Sequence, residues 1–78
     1  MKDVIMYTSP TCHYCHAAKD YFAKNNIPYV EKDISSDPQA RAELIQLKSR
    51  GVPTFVIGDE VVVGFDQKRI MDLIKQNQ

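Results

Sequence analysis

The sequence has no excess charge, because ten basic side chains offset ten acidic ones. A balanced surface exerts no long-range pull on nucleic acid or on an anionic membrane, so neither is expected as a partner. Long apolar runs are also missing. The stretch from Val4 to Tyr7 falls short of the roughly 7–15 apolar residues in a signal-peptide core. No segment nears the ~20 that a membrane span needs. There is no run of like charge, no low-complexity tract and no internal repeat. Cysteine is scarce, two residues in 78. Small secreted scaffolds usually carry several bridges, so a lone structural staple is the weaker reading. These absences lead to an expectation of a cytoplasmic protein. There thiols stay reduced, and a cysteine pair is more often catalytic or metal-binding than structural.

What is present fits one domain over residues 1–78. A hydrophobic share of 44% supplies a single core, although a chain this short buries less of its surface than a larger domain. The apolar run in Asp3–Tyr7 reads as a strand covered on both faces. Thr8 to Thr11 break it, and a helix should follow from Cys12 to Lys24, with Thr11 as N-cap. Cys15, Ala18 and Phe22 share its buried face, Lys19 and Lys24 face water, and Asn25–Asn26 end it. Pro28–Ile34 reads as a second, partly exposed strand. Ser36 can cap the next helix, with Pro38 in its first turn and Gln39 placed for a capping box. That helix should reach Lys48, with Leu44, Ile45 and Leu47 inward, and stop at Gly51. Thr54–Ile57 and Glu60–Val63 flank Gly58–Asp59 as a hairpin. Asp66 caps a last helix that buries Ile70, Leu73 and Ile74. The order β-α-β-α-β-β-α predicts an α/β fold with a four-stranded mixed sheet, its first two strands joined by a right-handed parallel crossover.

The chemistry centres on Cys12-His13-Tyr14-Cys15, placed where the first strand hands over to the first helix. Free N–H groups and the helix dipole favour an anion there. The thiolate is the nucleophile, so a lowered pKa at Cys12 raises reactivity. A helix terminus supplies up to ~2 kcal/mol, and ~1.4 kcal/mol is one pKa unit. The dipole alone therefore brings a thiol from ~8.5 to about 7. Cys15 lies one turn on, deeper, beside Ala18. Cys12 is thus the expected nucleophile and Cys15 the resolving thiol. Two rivals use the same letters. With His16 the string spells a c-type haem attachment site, which would need export and a distal ligand. A structural zinc site wants ligands from two segments, and no further Cys or His lies downstream. No metal site is therefore expected. His13, beside the nucleophile, is a candidate for tuning the thiolate, and His16 reads as a helix-surface residue.

These residues resemble the glutaredoxin family, including its short relatives of the ribonucleotide-reductase redoxin type. Met6-Tyr7-Thr8, Cys12-His13-Tyr14-Cys15 with His16-Ala17-Ala18-Lys19, Gly51-Val52-Pro53 and Gly64-Phe65-Asp66 carry the likeness over nearly the whole chain. The resemblance implies a thioredoxin-like fold and a cis peptide bond before Pro53. It further implies a groove in which Val52 pairs with an extended thiol substrate, as in strand addition. Tyr14, Val52 and Asp66 match positions that contact glutathione, and Arg41 falls near a position that meets a glutathione carboxylate. The family's usual Lys three residues before the nucleophile is Ser9 here. Val63 stands for the first Gly of a Gly-Gly pair, Gln67 for a second Asp and Gly51 for Thr. The function implied is thiol–disulfide exchange by a monomer on protein disulfides or glutathione mixed disulfides. No cofactor would be tightly bound, and glutathione as co-substrate or thioredoxin reductase would donate electrons. The alternative is a glutathione-ligated iron–sulfur cluster carrier bridged through Cys12, since His13 replaces the family's Pro.

Overall fold

The computed structural model describes residues 4–49 and 51–76. Strand β1 covers Val4–Thr8, helix α1 His13–Lys24, β2 Val30–Asp33, α2 Pro38–Gln46, β3 Thr54–Ile57, β4 Glu60–Val63 and α3 Gln67–Gln76. The sheet order is β2-β1-β3-β4. β1 runs parallel to β2 and antiparallel to β3, and β3 pairs antiparallel with β4. The order of elements and the mixed sheet are as expected.

Alternation along β1 sorts the helices onto two faces. Val4 and Met6 join Ala18 and Phe22 of α1 and Ile70 and Leu73 of α3 in one cluster. Ile5 and Tyr7 point the other way, toward Ala40 and Leu44 of α2. Phe22 and Phe55 stack at 5.8 Å between centroids in the larger core.

Several boundaries move, each for a local reason. β1 runs to Thr8, which pairs with Asp33; Asp3 lies outside the described residues. β2 is shorter than expected, and Ile34 begins the turn after it while still donating its N–H to the Thr8 carbonyl at 3.0 Å. The N-cap of α1 is Cys12 rather than Thr11: its backbone is extended and its sulfur accepts the Cys15 N–H. Asp37 replaces Ser36 as the cap of α2, its carboxylate accepting from the N–H groups of Gln39 at 3.0 Å and Ala40 at 3.4 Å. Pro38 is in the first turn as expected.

Both α1 and α2 end in a Schellman turn. In α1, Asn26 takes φ 55, and Ile27 donates to the Phe22 carbonyl at 2.9 Å. In α2, Lys48 takes φ 61, and Ser49 donates to the Leu44 carbonyl at 3.3 Å. The second helix therefore stops at Gln46, short of Lys48, and Gly51 plays no part in ending it. Leu44 is buried and Leu47 half-buried, but Ile45 points outward, 64% exposed. The hairpin turns at Gly58–Asp59, where Gly58 supplies φ 63. Ile70 and Leu73 are buried and Ile74 is half-buried.

Candidate active site

Strand register brings the singled-out residues to one end of the sheet. Tyr7 pairs with Thr54, and Thr54 with Val63. The loop leaving β1 toward Cys12, the turn entering β3 at Gly51–Pro53 and the segment leaving β4 at Gly64–Asp66 thus emerge at a common edge. Gly64 ties two of them together, donating its N–H to the Pro53 carbonyl at 2.8 Å. Gly64 holds φ 90, which side-chain-bearing residues rarely adopt. The Val52–Pro53 peptide is cis, as the resemblance implies.

Cys12 and Cys15 form a disulfide, their Cα atoms 5.2 Å apart. The Cys12 N–H bonds the Ser9 carbonyl at 3.1 Å, and the Cys15 N–H bonds the Cys12 sulfur at 3.1 Å. A sulfur that caps a helix meets the positive end of the dipole and an N–H donor together, and both favour its anion. The two cysteines differ sharply in access. Cys12 is half-buried, whereas Cys15 has no exposed surface. Tyr14 is 70% exposed, and His13 is exposed with no hydrogen-bond partner among the described residues. His16 is exposed too, but its Nε2 lies 3.1 Å from the Pro10 carbonyl and fastens the thiol loop to α1.

Asp66 starts α3 as expected, accepting the Arg69 N–H at 3.2 Å through its side chain and the Ile70 N–H at 2.9 Å through its carbonyl. Its carboxylate remains exposed. Among the described residues no hydrogen bond engages the main chain of Val52. Arg41 sits on α2, outside the thiol loop, and lines a groove that Ser9 also lines.

Three clusters escaped sequence reasoning. Buried Ser49 and Thr54 share a hydrogen bond of 2.7 Å, and the Thr54 hydroxyl donates to the Gly51 carbonyl at 2.7 Å. This clasp braces the turn that presents Val52, and lone hydroxyl residues gave no periodic signal for it. Under α1, buried Thr8 donates to Glu31 at 2.8 Å, and Glu31 pairs with Lys19. The Lys19 hydrogen bond holds the Glu31 carboxyl below its usual range, assisted by Thr8 and opposed by desolvation. Lys19 is half-buried in this pair, where the helical pattern had placed it in water. On the other face Glu43 accepts from Tyr7 at 3.0 Å and Lys32 at 2.7 Å. Burial, then the Glu43 bond, pushes the Tyr7 hydroxyl's pKa up, and Lys32 foremost holds the Glu43 carboxyl down. Among the described residues no helix is long and apolar enough to cross a membrane.

The glutaredoxin family model matches residues 4–62. The chain is 35% identical to a glutaredoxin-like 8.6 kDa protein of the rubredoxin operon of Clostridium pasteurianum, covering 91% of this chain and 96% of that one. It superposes on the crystal structure of the thioredoxin-like protein BC3987 with a TM-score of 0.85 and 36% identity, over 91% of this chain and 99% of that one. It is also similar to the glutaredoxin-like NrdH-redoxin of Escherichia coli, described as having a thioredoxin-like activity profile: TM-score 0.84, 25% identity, over 92% of this chain and 95% of that one. These likenesses favour exchange chemistry on a thioredoxin-like fold over a cluster carrier.

Proposed function

The chain belongs to the glutaredoxin family and is a thiol–disulfide oxidoreductase; from that premise we propose that Cys12 is its nucleophile and Cys15 its resolving thiol. The carrying observation is the unequal access of the two sulfurs: half-buried Cys12 caps α1, and Cys15 is sealed beneath it. In the reduced protein the Cys12 thiolate attacks one sulfur of a substrate disulfide. A Cys12–substrate bond forms, and the other substrate sulfur leaves as a thiolate and takes a proton from solvent. Cys15 then gives up its proton and attacks the Cys12 sulfur, releasing the second substrate thiol. Two electrons pass to the substrate, and the Cys12–Cys15 disulfide remains.

Two donors suit the reset: glutathione, and thioredoxin reductase, in keeping with the activity profile described for the similar NrdH-redoxin. The main chain of Val52, without a hydrogen bond among the described residues, offers an edge to an extended substrate beside Pro53. Tyr14 flanks the nucleophile, exposed Asp66 meets an ammonium such as that of glutathione, and Arg41 supplies a cation for a carboxylate. The protein works as a monomer in the cytoplasm, with no tightly bound cofactor.

The test is a hydroxyethyl-disulfide assay run once with glutathione and once with thioredoxin reductase. Cys12→Ser is expected to abolish turnover with both donors. Cys15→Ser is expected to accumulate a covalent Cys12–substrate adduct, visible by intact mass. Turnover by Cys12→Ser contradicts the assignment.

A further inference from the structure

The peptide between Gly51 and Val52 is held by two side chains. Buried Ser49 and Thr54 both reach the Gly51 carbonyl, Thr54 at 2.7 Å and Ser49 at 3.3 Å, and their hydroxyls lie 2.7 Å apart. A hydroxyl has one proton to give. Thr54 gives its proton to Gly51, so Ser49 is the donor to Thr54 and the three groups form a relay. Both hydroxyls hang on fixed backbone. The Ser49 N–H closes the end of α2 on the Leu44 carbonyl at 3.3 Å, and Thr54 pairs with Tyr7 and Val63 inside the sheet.

Planarity turns this anchor into a direction. The Gly51–Val52 peptide is trans, and in a trans peptide the C=O and N–H point to opposite sides. With the Gly51 oxygen drawn inward to the buried hydroxyls, the Val52 N–H faces away from them. That N–H has no acceptor among the described residues. Among the same residues nothing else sets the plane. Glycine is conformationally permissive, and a Cβ on Gly51 would meet no atom within 4 Å. The Val52 side chain packs on the cluster of Tyr7, Ala40 and Leu44, which seats its Cα but leaves the preceding peptide free to tilt. On the far side the Pro53 carbonyl is already bound by the Gly64 N–H at 2.8 Å.

We propose that Ser49 and Thr54 are positioning residues that aim the Val52 N–H at a backbone carbonyl of an extended substrate. The proposal rests on the exchange reading, in which that substrate brings its disulfide to Cys12. A donor already aimed need not be ordered on binding. Without the hydroxyls the Gly51 carbonyl turns toward water to find a partner, and the Val52 N–H swings out of line with it. The effect is confined to substrates with a peptide backbone to pair; a small disulfide without one is indifferent to the clasp.

The test uses that difference. Pre-reduced full chain is mixed with a disulfide-bearing peptide, or with hydroxyethyl disulfide, and single-turnover reduction is followed against concentration. Thr54→Val, and more so the double variant Ser49→Ala with Thr54→Val, should raise the half-saturating peptide concentration about three- to tenfold, the worth of one neutral hydrogen bond, with the limiting rate held. Hydroxyethyl disulfide should react alike in all of them, and Thr54→Ser, which keeps the hydroxyl, should behave as the parent. Unchanged peptide kinetics in the double variant, equal losses for both substrates, or a Thr54→Ser as weak as Thr54→Val overturns the proposal. A second measurement needs no change in the clasp. In the Cys15→Ser adduct with the same peptide, the Val52 amide should exchange with solvent at least about tenfold more slowly than in the free protein. An adduct that forms with Val52 unprotected overturns the proposal and leaves the exchange reading standing. Failure to form any adduct at Cys12 overturns both.

Discussion

At the scale of single residues, position in the helix decides what each sulfur can do. The Cys12 sulfur accepts the Cys15 N–H at the positive end of α1, and Cys15 is withdrawn into the core. The His13 side chain is exposed and has no partner among the described residues, so any influence on the Cys12 thiolate passes through solvent. His13→Ala should therefore raise the pH of half-maximal Cys12 alkylation by about 0.3 units or more at low salt, with the effect fading as salt screens it. A change within ~0.2 units removes His13 from the site. Lys48→Gly should stabilise the protein by about 1 kcal/mol in urea unfolding, since it relieves a left-handed backbone. Loss of stability would mean that the Lys48 side chain is needed for folding. Asp66→Asn separates two roles, because Asn caps nearly as well as Asp. Melting temperature should hold while KM for a glutathione mixed disulfide rises; an unchanged KM leaves Asp66 as a cap alone.

At the scale of elements, sequence periodicity located all seven segments, and local chemistry shifted their ends. Alternation in Val4–Tyr7, the turn pair Gly58–Asp59 and the Ile70–Leu73 spacing are signals in the chain itself. Cysteine as an N-cap has no propensity signal, so Thr11 was the expected cap of α1. Asp37 outcompeted Ser36 because its carboxylate reaches two N–H groups. The early stop of α2 at a lysine could not be read, because glycine is the usual residue for that turn. The cysteine pair was legible from its motif and spacing and Asp66 from its place before the last helix, whereas the cis bond before Pro53 was legible only through the family resemblance. The Ser49–Thr54 clasp was not, since isolated hydroxyl residues carry no pattern, nor was the Thr8–Glu31–Lys19 cluster, since it joins three elements distant in sequence. Docking of α1 onto the sheet gives a pH prediction. Glu31 has a depressed pKa, so its contribution is present above its ordinary value of 4.5 and is lost as pH falls through the lower folded value. Glu31→Gln should therefore destabilise by under about 1 kcal/mol at neutral pH, given its partial exposure. The difference should shrink as the pH is lowered below the ordinary carboxylate value, because both states then become protonated. A difference that grows on acidification contradicts the sign.

At the scale of the whole molecule, a small core carries a reactive edge. Phe22 and Phe55, both fully buried, link α1 to the centre of the sheet. A large-to-small change there costs roughly 3–5 kcal/mol, a large part of the 5–15 kcal/mol that holds typical domains. Phe22→Ala should accordingly leave the chain largely unfolded at moderate temperature by circular dichroism. The same architecture sets three loops at one end of the sheet and leaves a single sulfur in reach of a substrate. That access is tested most directly by treating the fully reduced protein at neutral pH with less than one equivalent of iodoacetamide and mapping the label by peptide mass spectrometry. Label on Cys12 with Cys15 unmodified is the expected result; label on Cys15 first, or on both equally, contradicts it.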